Sequence, residues 1–222
     1  MSDNSAKRGK FIDFEYLDGG VAGEYIKRIA TEFFPNHGIL YEKEPTDGPF
    51  GGPINNIISD RAKQLPNWRA LAHGFLADRF DHINKNTDYG IRSSLERGDT
   101  YIGDRYNLST YAYQIPQEEF DWFYTCSQEI LIPDLTIYLK YNLDSCVRTA
   151  AEDIEHSILF RQANEDKEKF RSNLEKTEAK YMMAIEFLRK KPGWKEIHII
   201  EVGSVNDTWA ELKPLVKNCL GL

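Results

Sequence analysis

With 222 residues, 41% of them hydrophobic and 28% charged, the chain can bury a sizeable core within one larger domain. Its formal charge of −7 sets the surface as a whole against polynucleotides and anionic membranes, so any phosphate must be held by a local cluster of basic groups and backbone amides. Cys126, Cys146 and Cys219 share no short spacing, and neither do His37, His73, His82, His156 and His198, so no metal site or disulfide framework is readable.

Scattered thiols fit a reducing compartment. No apolar run approaches the roughly 18 residues of a membrane span, and the N-terminus lacks an apolar signal core. The expectation is a soluble, cytoplasmic protein.

Residues 1–9 are polar and read as a disordered tail. Residues 10–222 read as a single domain. Lys10–Glu15 is the first of five short apolar runs predicted to be strands; it leads into a glycine turn and then a helix around Ile26, Ile29, Ala30 and Phe33. Ile39–Lys43 is the second strand, followed by a helical stripe through Leu71, Phe75, Leu76, Arg79 and Phe80. Thr100–Asp104 and Asp134–Tyr138 are the third and fourth strands. Phe170–Arg189 predicts a long amphipathic helix, Glu196–Val202 the fifth strand and Thr208–Leu220 a closing helix.

Strands separated by helices predict a parallel sheet covered on both faces, because parallel neighbours need a crossover. Ligands of such sheets lie beyond the carboxyl ends of the strands. That places the candidate site at Tyr16–Gly23, Glu44–Gly52, Arg105–Gln114 and Tyr141–Arg148.

Phe11 to Gly20 reads FIDFEYLDGG, a strand running into a glycine turn, which is where a phosphate-binding loop would stand. Such a loop needs small residues, a lysine for the transferring phosphoryl group and a hydroxyl for magnesium. The segment resembles the first strand and loop of thymidylate kinases. Phe14, Glu15, Asp18, Gly19 and Gly20 fit, whereas Tyr16 and Val21 replace two glycines, Ala22 the lysine and Gly23 the hydroxyl residue. Loss of one comparable electrostatic donor costs on the order of 10²–10³ in rate.

Four further blocks resemble the same family in order: EKEPTDGPFG from Glu42, FLADRFDH from Phe75, GDRYNLSTYAYQ from Gly103 and PDLTIYL from Pro133. The likeness covers most of residues 10–220. It implies a three-layer, P-loop-kinase-like α/β fold with a five-stranded parallel sheet flanked by helices. It also implies dTMP or a related pyrimidine deoxynucleotide as substrate.

By position in the motifs, the resemblance implies that Phe75 stacks on the base, Arg79 reaches its carbonyl and Arg105 holds the acceptor phosphate, with Lys43, in place of the family's arginine, a further substrate-binding residue. Asp18 and Asp104 lie beside the phosphate and metal centre, Tyr113 favours deoxyribose, and Ser109 and Gln114 support by hydrogen bonds. Asp18, Asp104 and Arg105 are the catalytic candidates that the resemblance implies.

On the donor side, the lid's aspartate–arginine pair has no counterpart in Ala151–His156, which offers Asp153 and Glu155 without an arginine. Arg148 fits the helix arginine that follows the fourth strand, and Arg161 is the nearest replacement for the lid arginine. The resemblance implies dTMP kinase activity with ATP and Mg²⁺, and commonly a homodimer; the altered loop points away from ATP. Three readings stay open: a divergent enzyme acting on a pyrimidine deoxynucleotide by hydrolysis or base modification, a kinase with basic help from Lys27, Arg148 or Arg161, and a non-catalytic sensor or regulatory subunit.

Overall fold

The computed structural model describes residues 8–35, 39–59, 67–85, 90–152 and 166–222. Five strands form one all-parallel sheet, and every predicted strand is present with its ends shifted by at most two residues. They are β1 (Phe11–Tyr16), β2 (Leu40–Lys43), β3 (Tyr101–Asp104), β4 (Leu135–Lys140) and β5 (Ile197–Glu201), in the order β2-β3-β1-β4-β5. Central β1 is flanked by β3 and β4, so all six of its residues are buried. Burial on both faces is why β1 and β4 carry apolar side chains on both sides of the strand, whereas β2 at the sheet edge is only partly covered.

Alternation splits the core in two. Phe11, Tyr101 and Tyr138 face one apolar cluster, while Ile12, Phe14, Ile102 and Ile137 face the other. Helices α1 (Gly23–Phe33) and α9 (Val205–Leu220) cover the second face. The first is covered by α3 (Trp68–Asn84), α4 (Ile91–Glu96), α5 (Asn107–Tyr113), α6 (Phe120–Cys126) and α8 (Lys167–Arg189). Helices α2 (Gly51–Ser59) and α7 (Leu143–Glu152) follow the ends of β2 and β4.

The two long helices begin earlier than their apolar periodicity. Asp166 caps α8 by accepting the Lys169 N–H at 2.8 Å. Ser204, four residues before the predicted start at Thr208, caps α9 by accepting the Asp207 N–H at 3.2 Å. Gly221, at φ 73°, ends that helix in the left-handed conformation.

Of the N-terminal tail, residues 1–7 lie outside the described residues. Arg8 already pairs with Asp134 at 2.9 Å, and the Gly9 N–H donates to the Leu95 carbonyl at 2.7 Å, so the packed structure includes the last two tail positions. No helix among the described residues is long and apolar enough to cross a membrane.

Candidate functional site

The carboxyl ends of β1 and β3 meet at Arg105. This residue adopts φ 63°, a left-handed conformation that costs a non-glycine residue about 1–2 kcal/mol. The surroundings fix it there. Its backbone N–H donates to the Phe14 carbonyl at 2.8 Å, its Nη1 pairs with Asp18 Oδ1 at 2.9 Å, and its guanidinium lies 4.8 Å from the Tyr16 ring and 5.5 Å from the Tyr113 ring. The Tyr113 hydroxyl accepts the Asp18 N–H at 2.9 Å and so ties the β1–α1 loop to α5. Arg105 is 17% exposed and Asp18 24%, which makes the pair half-open to an anion. Arg105 Nε is buried with no hydrogen-bond partner among the described residues.

Asp104, the preceding residue, is 6% exposed and faces two phenols. The Tyr16 hydroxyl donates to Oδ1 and the Tyr41 hydroxyl to Oδ2. Burial, then the neighbouring Asp104 charge, pushes the Tyr16 phenol above its ordinary range, so it remains a donor at neutral pH. The carboxylate is therefore satisfied from within the chain on both oxygens.

On the opposite face of β1, Glu15 closes the N-terminus of α5. It accepts the Tyr106 and Ser109 N–H groups, each at 3.0 Å, together with the Ser109 hydroxyl and, at 3.3 Å, the Tyr181 hydroxyl. Burial raises the Glu15 pKa, opposed chiefly by the hydrogen bonds from Ser109 and Tyr106. Ser109 is thus engaged with Glu15 and with Tyr181, 2.7 Å away. Its hydroxyl orients α5 and has no free donor for a ligand.

Arg79 is buried to 1%. It donates through Nε to Glu44 Oε2 at 2.8 Å, through Nη1 to Asn107 Oδ1 at 3.0 Å and through Nη2 to Thr110 Oγ1 at 3.3 Å, and Nη2 also lies 2.6 Å from Glu44 Oε2 as an ion pair. One of the two Nη1 N–H groups stays without an acceptor among these contacts. The guanidinium also lies 4.6 Å from the Tyr106 ring. Phe75, half-buried and four residues earlier on α3, shares its helix face.

The loop after β1 is filled by protein. Gly19 has φ +85°, and a Cβ there would stand 2.2 Å from the Cys146 carbonyl oxygen of α7. A Cβ on Gly20 would meet Tyr141 Cδ2 at 3.0 Å and Tyr16 Cδ2 at 3.1 Å. The Gly20 N–H donates to the Leu17 carbonyl at 2.9 Å, and the Tyr141 hydroxyl donates to the Val21 carbonyl. Val21 is exposed, Ala22 is buried at the start of α1, and Gly23 has open space around it.

The structure brings Asp18, Asp104, Arg105, Tyr16 and Tyr113 together at one end of the sheet. Lys43 ends β2 beside Asp104 in register, with its side chain exposed, and Gln114 caps α5 at the half-buried edge. Arg148 and Lys27 are exposed; Arg148 bonds Ser145 at 3.4 Å. Arg161, Asp153 and Glu155 lie outside the described residues. Motif reading missed Glu44, Asn107 and Thr110, which hold Arg79, and Tyr41 and Tyr141, which close the loop region. A carboxylate just past the carboxyl end of β2, where ligands of such sheets lie, was the available signal for Glu44. Among the described residues, no cluster of three or more His, Cys, Asp or Glu side chains is placed to hold a metal ion.

A family model described as thymidylate kinase matches residues 23–194, beginning after the Tyr16–Ala22 loop segment. The chain is 38% identical over 116 residues to a thymidylate kinase of Desulfotalea psychrophila, an alignment covering 51% of this chain and about half, 52%, of that protein. It is 26% identical over 225 residues to a thymidylate kinase of Prochlorococcus marinus, covering 95% of this chain and 99% of the relative. A solved thymidylate kinase structure from Candida albicans superposes with a TM-score of 0.69 at 21% identity, covering 95% of this chain and 92% of the other, and so shares the fold. With 172 of 222 residues inside the family match (194 − 23 + 1), the chain belongs to the thymidylate kinase family.

Proposed function

We propose that the protein binds dTMP, or a closely related pyrimidine deoxynucleoside monophosphate, at the Arg105 end of the sheet, and that it does not transfer a phosphoryl group from ATP in the family's manner. The observation that carries this is the contrast between the two halves of one site. Arg105 sits in a strained conformation, braced by Asp18, Tyr16 and Tyr113, with an unpartnered buried Nε. Strain held by so many contacts is characteristic of a ligand-binding position.

Within this reading the guanidinium takes the monophosphate, which displaces part of the Asp18 contact. Phe75 offers its ring to the base from the same helix face as Arg79. Arg79, held almost rigid by Glu44, Asn107 and Thr110, keeps an N–H on Nη1 for a base carbonyl. Tyr113, fixed by the Asp18 N–H, closes the sugar side.

The ATP side does not fit its ligand. A triphosphate cradle needs free backbone N–H groups, a lysine and a hydroxyl. Here the Gly20 N–H bonds Leu17, rings from Tyr16 and Tyr141 pack on Gly20, Ala22 is buried, and Gly23 has no side chain. Asp104, the carboxylate available for magnesium, has both oxygens occupied by phenols.

Calorimetric titration with dTMP and, separately, with Mg-ATP tests both halves of the proposal. The expected result is heat from dTMP and none from Mg-ATP. Equal binding of both, followed by ADP and dTDP production, would restore the ordinary kinase reading. Disappearance of dTMP without ATP would mark a hydrolytic or base-modifying enzyme.

A further inference from the structure

The Tyr16 ring touches two parts of the site. It lies 4.8 Å from the Arg105 guanidinium carbon. Its Cδ2 edge reaches the loop, where it would stand 3.1 Å from a Cβ on Gly20. The ring therefore fills space next to both the arginine and the Gly20 backbone. It is 5% exposed and pinned at its far end by the bond to Asp104.

We infer that Tyr16 is a specificity-determining residue that limits the site to a single phosphate, admitting nucleoside monophosphates and rejecting diphosphates and triphosphates. This inference rests on the monophosphate reading of Arg105 given above. A phosphate on Arg105 that carried a second phosphate toward the loop would have to enter the volume of the Tyr16 ring. Swinging the ring aside breaks its bond to Asp104 and its packing on Arg105 together.

The chemistry beyond the ring is also wrong for a second phosphate. The Asp18 N–H bonds the Tyr113 hydroxyl, the Gly20 N–H bonds Leu17, and the Tyr141 hydroxyl is turned onto the Val21 carbonyl. The carboxylates of Asp18 and Asp104 also stand there, one paired with Arg105 and the other bonded by two phenols. An added phosphate would thus have to displace those contacts beside two anions, which disfavours it independently of shape.

The test compares dTMP, dTDP and dTTP by calorimetry on the full chain, on Tyr16→Phe and on Tyr16→Gly. The wild-type protein is expected to bind dTMP at least about tenfold more tightly than dTDP, a difference of the size that one excluded or unpaired group produces. Tyr16→Phe keeps the ring and should keep the preference, although Asp104 loses a donor. Tyr16→Gly removes the ring together with the hydroxyl and should narrow the preference to within about threefold, with Tyr16→Phe separating the ring from the hydroxyl.

If the wild-type chain binds dTMP and dTDP equally, the single-phosphate limit is wrong while the acceptor-site reading stands. If it binds neither, both fall. Should Tyr16→Gly fail to fold, as judged by circular dichroism, the wild-type preference and its survival in Tyr16→Phe still decide the matter. Loss of the preference in Tyr16→Phe would transfer the effect from the ring to the hydroxyl and overturn the inference as stated.

Discussion

Arg79 and Glu44 form an ion pair at 2.6 Å with side chains only 1% and 5% exposed. A pair so far from water is not a large net gain, because desolvating both charges offsets their attraction. Removing one partner is different, since it leaves the other charged and buried. Glu44→Ala should therefore destabilise the protein by about 3–5 kcal/mol, read from urea denaturation midpoints at unchanged slope. A loss below about 1 kcal/mol would mean that the surviving Arg79 finds water or another acceptor.

Arg105 and Asp18 should respond in opposite directions. Arg105→Ala removes the guanidinium assigned to the phosphate, so calorimetric binding of dTMP should be lost. Asp18→Asn removes the carboxylate that competes for the same guanidinium, while its backbone N–H can still bond Tyr113. That variant should bind dTMP a few-fold more tightly, on the order of 1 kcal/mol for a half-exposed pair. Weaker binding by Asp18→Asn would assign Asp18 a direct part in holding the nucleotide.

The strands were legible because each is a short run with apolar residues bounded by helical periodicity, and their parallel arrangement followed from the helices that separate them, whereas the order β2-β3-β1-β4-β5 was not read from the sequence. Helices α4, α5 and α6, of six or seven residues, span less than two turns, too short for an apolar period to register. At the site, Arg105 and Asp18 could be found from sequence because both follow strands directly.

The partners of the site could not be found this way. Glu44 lies 35 residues from Arg79, and Tyr16 lies 88 from Asp104; α3 carries Arg79 to Glu44 past the end of β2, and the parallel pairing of β1 with β3 brings Tyr16 to Asp104. A tyrosine in place of a loop glycine reads as a loss in sequence. In the fold its ring and hydroxyl make new contacts on both Asp104 and Arg105.

Asp13, in the middle of β1, is fully buried, and neither carboxylate oxygen has a hydrogen-bond partner among the described residues. Burial, then Glu15 and Glu44, raises its pKa well above the usual carboxylate range. The native state thus holds a proton that the unfolded chain releases above its ordinary value near 3.8. Between that value and the raised native one, the unfolded state binds fewer protons, so stability falls as pH rises. Glu15, also raised, contributes in the same direction above 4.5. Asp13→Asn, which cannot ionise, should flatten part of this slope. Its stability relative to wild type should improve from pH 4 to pH 7, measured by chemical denaturation at each pH. A slope identical to wild type would assign the proton elsewhere.

The loop supplies a test of whether its packing or its missing lysine excludes ATP. Val21→Gly, Ala22→Lys and Gly23→Ser together restore the residue types of a phosphate loop without moving Tyr16 or Tyr141. The Gly20 N–H would still bond Leu17, and the two rings would still pack on Gly20. The triple variant is therefore expected to give no Mg-ATP heat, and measurable binding should appear only when Tyr16→Gly and Tyr141→Phe are added. Tyr16→Gly also empties a buried ring position, at about 3–5 kcal/mol, and Tyr141→Phe releases the bond to Val21, about 1 kcal/mol, so the five-fold variant should melt about 10 °C or more lower. If the triple variant binds Mg-ATP without those changes, the tyrosines yield easily and charge alone separates this loop from one that holds a triphosphate.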